Sequence, residues 1–386
     1  MLLAMGLHAR YQWPRFEEGS EKGTEPRLLV WLVLMAGAVI WLARPGACAM
    51  VDVVVAPVRR FGHRAVVAFV VLALAAFLIV ANHVLDGFPN SADELAYVMQ
   101  AQTYAEGRLS VDPPPVYESF SQIHFVALGD KWVSRYAPGW AVILMPAAVL
   151  GLPLWTVTPF VGAATLLAFY VLSRRFVSRE SAWIGVHTIG LSSFFILNSS
   201  SFFNHSLTAF YGVVFAIFGT RYIARGGIWC ALAAGLCIGL MGITRTQNAV
   251  IFALPYVIAL AMTPGRRMGL IWFGLGGAPF LAALLAYNYV ITGHPLTAVA
   301  VTTRHEPFGA PSAKSLWLTW RRFTDLIIWT SPVLALGYIV AFFTAIKRRQ
   351  TDFTDWIMPA TVVLFLFFSA YGGNQYGLSK HGPSLF

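Results

Sequence analysis

Charged residues are scarce in this chain, and that scarcity excludes most soluble proteins. Asp, Glu, Lys and Arg make up 11% of the 386 residues, whereas hydrophobic residues make up 58% and the mean hydropathy is +0.66. Several apolar runs approach the roughly 20 residues that a helix needs to cross a bilayer, and a helix satisfies its own backbone amides in lipid. The composition therefore predicts an all-α, polytopic integral membrane protein.

Cysteine is also scarce, with three in the chain. Cys230 and Cys237 lie about two turns apart on one predicted helix, roughly 10 Å along its axis, which is too far for a disulfide. No glycine-rich nucleotide loop, zinc-ligand spacing or Ser-His-Asp order stands out in the sequence. The absence of a glycine-rich nucleotide loop disfavours a nucleotide-linked sugar as a substrate.

Acidic residues are outnumbered, because 17 Asp and Glu stand against 27 Lys and Arg, for a formal net charge of +10. The basic residues cluster beside the ends of apolar runs, which is typical of cytoplasmic topology signals rather than of a nucleic-acid surface. The clusters are Arg59/Arg60/Arg64, Arg174/Arg175/Arg179, Arg221/Arg225, Arg266/Arg267 and Lys347/Arg348/Arg349. We therefore expect no nucleic-acid partner.

Cytoplasmic placement of these clusters predicts nine membrane crossings. They lie near 65–83, 155–173, 181–198, 207–220, 228–243, 248–262, 268–290, 326–346 and 356–371. The apolar run 138–152 is too short for a crossing. Counting it as one would also place Arg174/Arg175 and the later basic clusters outside the cytoplasm. We therefore predict a juxtamembrane or re-entrant helix there. Another run, 28–43, either forms a tenth helix or belongs to a dispensable extension, since Met50 is a plausible shorter start.

Two regions follow from this path. Residues 1–64 form an N-terminal extension with a cytoplasmic basic segment, and residues 65–386 form the transmembrane domain. Two long polar loops, 84–137 and 291–325, are expected outside the cytoplasm. The unusual polar residues gather on that one side.

The acidic pair Asp93 and Glu94 follows the first strongly predicted span. Ser91 and Glu94 have the spacing of a capping box, in which Glu94 bonds back to the Ser91 amide and Asp93 favours the helix dipole. The alternative is catalytic: a carboxylate at a bilayer surface can accept the proton of an acceptor hydroxyl. Asp93 is the acid that capping explains less well.

Six segments, in this order, carry a resemblance to a known family. They are 88–97 (FPNSADELAY), 105–109 (AEGRL), 135–140 (RYAPGW), 173–176 (SRRF), 244–246 (TRT) and 287–296, with YN at its start and TGHPL at its end. Over most of 65–300 the chain resembles the GT-C glycosyltransferases, and more closely the protein mannosyltransferase and aminoarabinose transferase-like group. Ala137 is a mild departure from the Tyr-Pro-Pro-Gly-like element of that group.

The resemblance implies a GT-C-like bundle of about nine or ten transmembrane helices, with juxtamembrane helices in a long first outer loop. It implies inverting transfer of a hexose or pentose from a polyprenyl-phosphate donor to an acceptor glycan, lipid or protein. The expected location is the bacterial inner membrane, with the active site on the extracytoplasmic face serving cell-envelope synthesis. Asp93 would be the base, and Glu94 would support it or orient the acceptor.

Substrate-binding candidates are the basic and aromatic residues expected on the outer side: Lys131, Arg135, Tyr136, His205, Arg245, His294, Lys380 and His381. Where some relatives carry a second acidic residue, this chain has Asn204-His205, which weakens the case for a metal site. We therefore assign no cofactor from the sequence and keep a divalent metal as an open alternative. His205 either binds phosphate, a sugar hydroxyl or a metal, or is hydrogen-bonded within the protein. Arg245 either binds a phosphate or reaches lipid headgroups.

Two other functions are compatible with the composition. A lipid or sugar transporter or flippase would place polar residues near the bilayer midplane and in broken helices. A truncated, inactive family member is the other, since residues 382–386 (GPSLF) lie inside what resembles a family motif that usually leads into further helices.

Overall fold

The computed structural model describes residues 47–115 and 124–302 of the chain. Residues 50–302 belong to one compact unit. The apolar run 28–43, the predicted spans 326–346 and 356–371, Lys380 and His381 lie outside the described residues, as does most of the second predicted loop.

The described residues are mostly helical. The helices are α1 (Ala47–Phe61), α2 (His63–Ile79, prolonged by a π-helical turn, Val80–Val84), α3 (Ala92–Ala105), α4 (Gly139–Val149), α5 (Val157–Ser173, preceded by a 3-10 turn, Leu154–Thr156), α6 (Arg179–Gly190), α7 (Ser193–Asn198), α8 (His205–Arg225), α9 (Ile228–Gly242), α10 (Thr246–Met262), α11 (Gly269–Thr292) and α12 (Val299–Thr302). Two strands, β1 (Phe125–Leu128) and β2 (Lys131–Ser134), pair antiparallel.

Four of these helical stretches are long and apolar enough to cross a membrane: His63–Val84, Leu154–Ser173, His205–Arg225 and Gly269–Thr292. They indicate a membrane protein. Helices α4, α9 and α10 are apolar but shorter. The predicted span 181–198 is divided between α6 and α7, because the helix is interrupted at Leu191 and Ser192.

The four described basic clusters meet at one end of the helices, which we call the basic end. Arg59 at the end of α1 lies 3.8 Å from Glu180 at the start of α6. Arg175 after α5 donates to Thr220 of α8, at 3.2 Å, and Arg266 before α11 donates to the carbonyl of Ile223, at 3.0 Å. These contacts connect the turns α1–α2, α5–α6, α8–α9 and α10–α11 with one another.

The opposite end, which we call the loop end, carries α3, the hairpin and α4. The first residue of α4, Gly139, donates its amide to Ile243 after α9, at 2.7 Å. A Cβ on Gly139 would overlap that backbone, so only glycine allows this close approach. The two-stranded hairpin has no counterpart in the sequence-based prediction, which placed only polar loop there.

Helices α9 and α11 are in backbone contact through glycines. A methyl group on Gly235 would overlap the carbonyl oxygen of Phe273, and one on Gly276 would overlap that of Leu232. Small residues let membrane helices approach closely, and dispersion between the two backbones then stabilises the pair.

Gly235→Ala is therefore expected to lower the free energy of unfolding by about 1–3 kcal/mol, because the methyl group forces the two helices apart. Thermal unfolding of the purified protein in detergent measures the change. Gly274→Ala, on an exposed position of α11 with nothing within 4 Å of its added methyl, is the matched control. Equal unfolding temperatures for the two variants would contradict the packing argument.

Candidate active site

Helix α3 begins with the capping arrangement that the sequence predicts. Ser91 is the N-cap, and its hydroxyl accepts from the Glu94 amide at 3.3 Å. The same hydroxyl donates to Oε1 of Glu94 at 3.0 Å. The sequence predicts that the Glu94 carboxylate accepts from the Ser91 amide. In the structure it accepts from the Ser91 hydroxyl instead.

Glu94 is 2% exposed, and it joins α3 to a distant part of the chain. Its Oε2 accepts the amide proton of Phe202, which precedes α8, at 3.0 Å. Burial raises the pKa of Glu94, although the hydrogen bonds from Phe202 and Ser91 act against that rise. Because both carboxylate oxygens are engaged inside the protein, Glu94 holds two loop segments together.

Phe202 uses both of its backbone groups in this assembly. Its carbonyl accepts from Nε1 of the fully buried Trp140 in α4, at 2.7 Å. The neighbouring Gly139 donates its amide to Ile243, which precedes α10. The start of α3, the segment before α8, the start of α4 and the segment before α10 are therefore linked by hydrogen bonds. The loop that carries α3 is thereby positioned by contacts with two other loops.

Asp93 lies on the accessible side of the same helical turn, with its side chain 21% exposed. Its Oδ1 accepts from the Tyr136 hydroxyl and lies 3.1 Å from Nε2 of His124. Within residues 47–115 and 124–302, no hydrogen bond is made to Oδ2 of Asp93. One carboxylate oxygen is therefore held, and the other can accept a proton from an incoming group.

Tyr136 is itself held from both sides. Its ring packs against Tyr97, with centroids 4.6 Å apart, and against His124 at 5.3 Å. Its carbonyl accepts from Nε2 of the buried Gln100 at 3.2 Å. Gln100 also donates to the Tyr104 hydroxyl, so a buried polar contact in α3 orients the residue that holds Asp93.

Arg245 lies directly before α10 and is half-buried. Burial lowers the pKa of its guanidinium, and the neighbouring Tyr97 and Asp93 raise it in part. The same cation acts electrostatically on His205. The guanidinium of Arg245 thus lies within electrostatic range of Asp93 at the loop end, where an anionic group could bind.

His205 begins α8 and is engaged within the protein. Its Nδ1 lies 2.7 Å from Oδ1 of Asn198, and its ring stacks on Phe203 with centroids 5.1 Å apart. These contacts favour the hydrogen-bonded interpretation of His205. Beside it, Oδ1 of the buried Asn204 and the hydroxyl of Ser201 have no hydrogen-bond partner among the described residues.

The remaining sequence candidates are more dispersed. Lys131 donates to the carbonyl of Val290 near the end of α11, at 2.7 Å, where a cation favours the helix dipole. Arg135 donates its amide to the His124 carbonyl at 2.9 Å. His294 is exposed in the turn after α11. Lys380 and His381 fall outside the described residues.

Sequence reasoning did not single out His124 or Gln100. Both carry types of side chain that are common in loops and helices, and nothing in their spacing from Asp93 indicates contact. The hairpin brings His124 back to Asp93. Its position in the same predicted outer loop, 84–137, was the only available signal.

No group of three or more His, Cys, Asp or Glu side chains that could hold a metal ion occurs among the described residues. Asp93 and His124 are a pair of side chains of the types that bind metals, and Tyr136 donates to Asp93 and packs against His124.

No protein-family model matches the chain, and no curated protein matches it.

Glu94 gives the stability of the fold a pH dependence with a definite sign. A raised pKa means that the folded chain keeps a proton that the unfolded chain has released, so the contribution is complete below the ordinary value of 4.5. It is lost as the pH rises through the pKa of the folded state. The unfolding temperature should therefore fall over this pH range in the wild type and fall less in Glu94→Gln.

The measurement is thermal unfolding of both proteins from pH 4 upward. Asp130→Asn, which removes an exposed carboxylate from the hairpin turn, is the control and should keep the wild-type pH dependence. Parallel pH profiles for the wild type and Glu94→Gln would show that Glu94 has no such linkage.

Proposed function

We propose that this protein is a membrane glycosyltransferase that moves a sugar from a polyprenyl-phosphate donor to an acceptor hydroxyl, with Asp93 as the base. The observation that carries the proposal is the arrangement of Asp93: Oδ1 is held by Tyr136 and His124, while Oδ2 accepts no hydrogen bond from the described residues and the side chain is 21% exposed. A general base needs this combination of fixed orientation and access.

The proposed step is a direct displacement. The acceptor hydroxyl transfers its proton to Oδ2 of Asp93 as its oxygen bonds to the anomeric carbon. The bond from that carbon to the phosphate oxygen breaks, and the electron pair leaves with the polyprenyl phosphate. The configuration at the anomeric carbon inverts because attack and departure occur on opposite faces.

Arg245 would stabilise the charge that develops on the departing phosphate. Support comes from its location, since it interacts electrostatically with Asp93 and is half-buried, where a charge pair is worth more than in water. Glu94 would act as a positioning residue, because both of its oxygens are occupied by protein donors.

The proposal includes a GT-C-like bundle of nine or ten spans in the bacterial inner membrane, with the loop end on the extracytoplasmic face. Of the eight acidic residues in the described part, six lie at that end, in the segment 84–137 that contains α3 and the hairpin, and the described arginine clusters lie at the other end. A transporter would instead place polar residues along a path through the bilayer. The acceptor is a hydroxyl of a glycan, lipid or protein.

The test uses the purified full chain in proteoliposomes with a panel of polyprenyl-phosphate sugars and hydroxyl acceptors. Mass spectrometry of the products should show a new glycoside together with free polyprenyl phosphate. Translocation of the lipid-linked sugar across the bilayer without formation of a glycoside would overturn the proposal and identify a transporter.

A further inference from the structure

Three arginines form a cluster at the basic end, on a surface remote from Asp93. Arg175 donates to the carbonyl of Ile217 and to the Thr220 hydroxyl, which place its guanidinium against α8. Arg221 and Arg225 follow Ile217 at one and two helical turns, so they share its face. We call Arg175, Arg221 and Arg225 the arginine cluster.

No carboxylate among the described residues neutralises this cluster. The two acids at the basic end are both committed to Arg59, which lies 2.6 Å from Asp52 and 3.8 Å from Glu180. Every other Asp or Glu of the described ranges lies within the loop 84–137: Asp86, Asp93, Glu94, Glu106, Asp112 and Asp130. Like charges four residues apart on a helix repel, so Arg221 and Arg225 destabilise α8 unless an anion is present.

Neighbouring arginines have structural roles that these two do not share. Arg174, Arg266 and Arg267 donate to main-chain carbonyls at or near helix ends. For Arg221 and Arg225, both exposed, no such bond is present in the described part of the chain. The helix dipole favours Arg225 in the last turn of α8, but it offsets only part of the repulsion.

The surroundings of the cluster are those of a membrane interface. Helix α9 begins directly after α8, and its second residue, Trp229, is 82% exposed beside the exposed Ile228. Tryptophan is typical of the boundary between headgroups and acyl chains. A ligand here would present an anion to the arginines and apolar chains to α9.

We infer that the arginine cluster binds the phosphodiester of an anionic phospholipid in the leaflet that surrounds the basic end. Arg221 and Arg225 supply charge, and Arg175, fixed against α8, supplies oriented donors. The site is independent of the proposed glycosyl transfer, since it lies at the other end of the helices.

The test titrates phosphatidylglycerol into the purified full chain in phosphatidylcholine-containing micelles and follows the unfolding temperature. We expect a saturable rise for the wild type. Arg221→Gln/Arg225→Gln should need about 30-fold more phosphatidylglycerol for half-saturation, because each arginine near an anionic surface contributes about fivefold. The single variant Arg225→Gln should show about a fivefold weakening.

Arg60→Gln/Arg64→Gln is the matched control, because it removes two exposed arginines from the same end and leaves the cluster intact. It should keep the wild-type half-saturation, and unfolding in phosphatidylcholine alone verifies that each variant is folded. Equal weakening in both double variants would overturn a specific site. A wild-type protein that phosphatidylglycerol does not stabilise would also overturn it. The same stabilisation by soluble glycerol phosphate would show that no lipid is required and would overturn the phospholipid assignment.

Discussion

Asp93→Asn is expected to lower the rate of glycosyl transfer by about 10²–10⁴-fold, the range that a positioned base contributes. Asparagine keeps an oxygen that can accept from Tyr136 and His124, but its amide cannot take the proton of the acceptor. The fold should survive, since the substitution removes only a first-turn charge that favours the helix dipole by about 0.3–1 kcal/mol. Initial rates of product formation and the unfolding temperature together measure the two effects.

Asp130→Asn is the matched control for this variant, because it removes an exposed acid of the same loop from a position outside the site. It should transfer sugar at the wild-type rate. A fully active Asp93→Asn protein would remove Asp93 from the mechanism and leave its contacts with Tyr136 and His124 as structural ones.

Arg245→Gln is expected to lower transfer by about 10²–10³-fold, the usual cost of removing a group that stabilises developing charge. The cation lies near Asp93 in a half-buried position, so solvent ions replace it poorly. The loss should appear mainly in kcat, since the phosphate gains charge as the bond to sugar breaks. Arg245→Lys should recover part of the rate, because it restores the charge without the planar fork.

The control for Arg245 is Arg108→Gln, which removes an exposed arginine that pairs with Glu106 beyond the end of α3. Wild-type kcat is expected for that variant. If Arg245→Gln and Arg108→Gln lost the same activity, the effect would be a general one of charge at the loop end and the assignment to phosphate would be wrong.

Local patterns predicted the helices and the start of α3 well. Seven predicted spans within 47–302 coincide with helical segments, because long apolar runs between basic clusters leave little choice of structure in lipid. Ser91 caps α3 as its spacing to Glu94 predicts. The interruption at Leu191 and the hairpin were not predicted, since hydropathy alone does not distinguish one helix from two or a loop from short strands.

The candidate site was predicted in part. Asp93, Tyr136 and Arg245 belong to one neighbourhood, whereas Lys131 bonds to the end of α11 and His294 is exposed in a turn. His124 and Gln100 could not have been found, because their roles depend on contacts across 31 and 36 positions of the chain. Such contacts arise from the hairpin and the packing of α3 on α4.

The sequence by itself determined that this is a helical membrane protein, where seven of the apolar helical segments within 47–302 lie, and that Ser91 begins the helix bearing two acids. Those properties depend on composition and on neighbours within one helical turn. Only the tertiary structure decided which acid is buried. Glu94 meets an amide 108 residues away and loses its water, whereas the Asp93 side chain stays 21% exposed. Desolvation and long-range hydrogen bonds depend on packing, so no local pattern contains them.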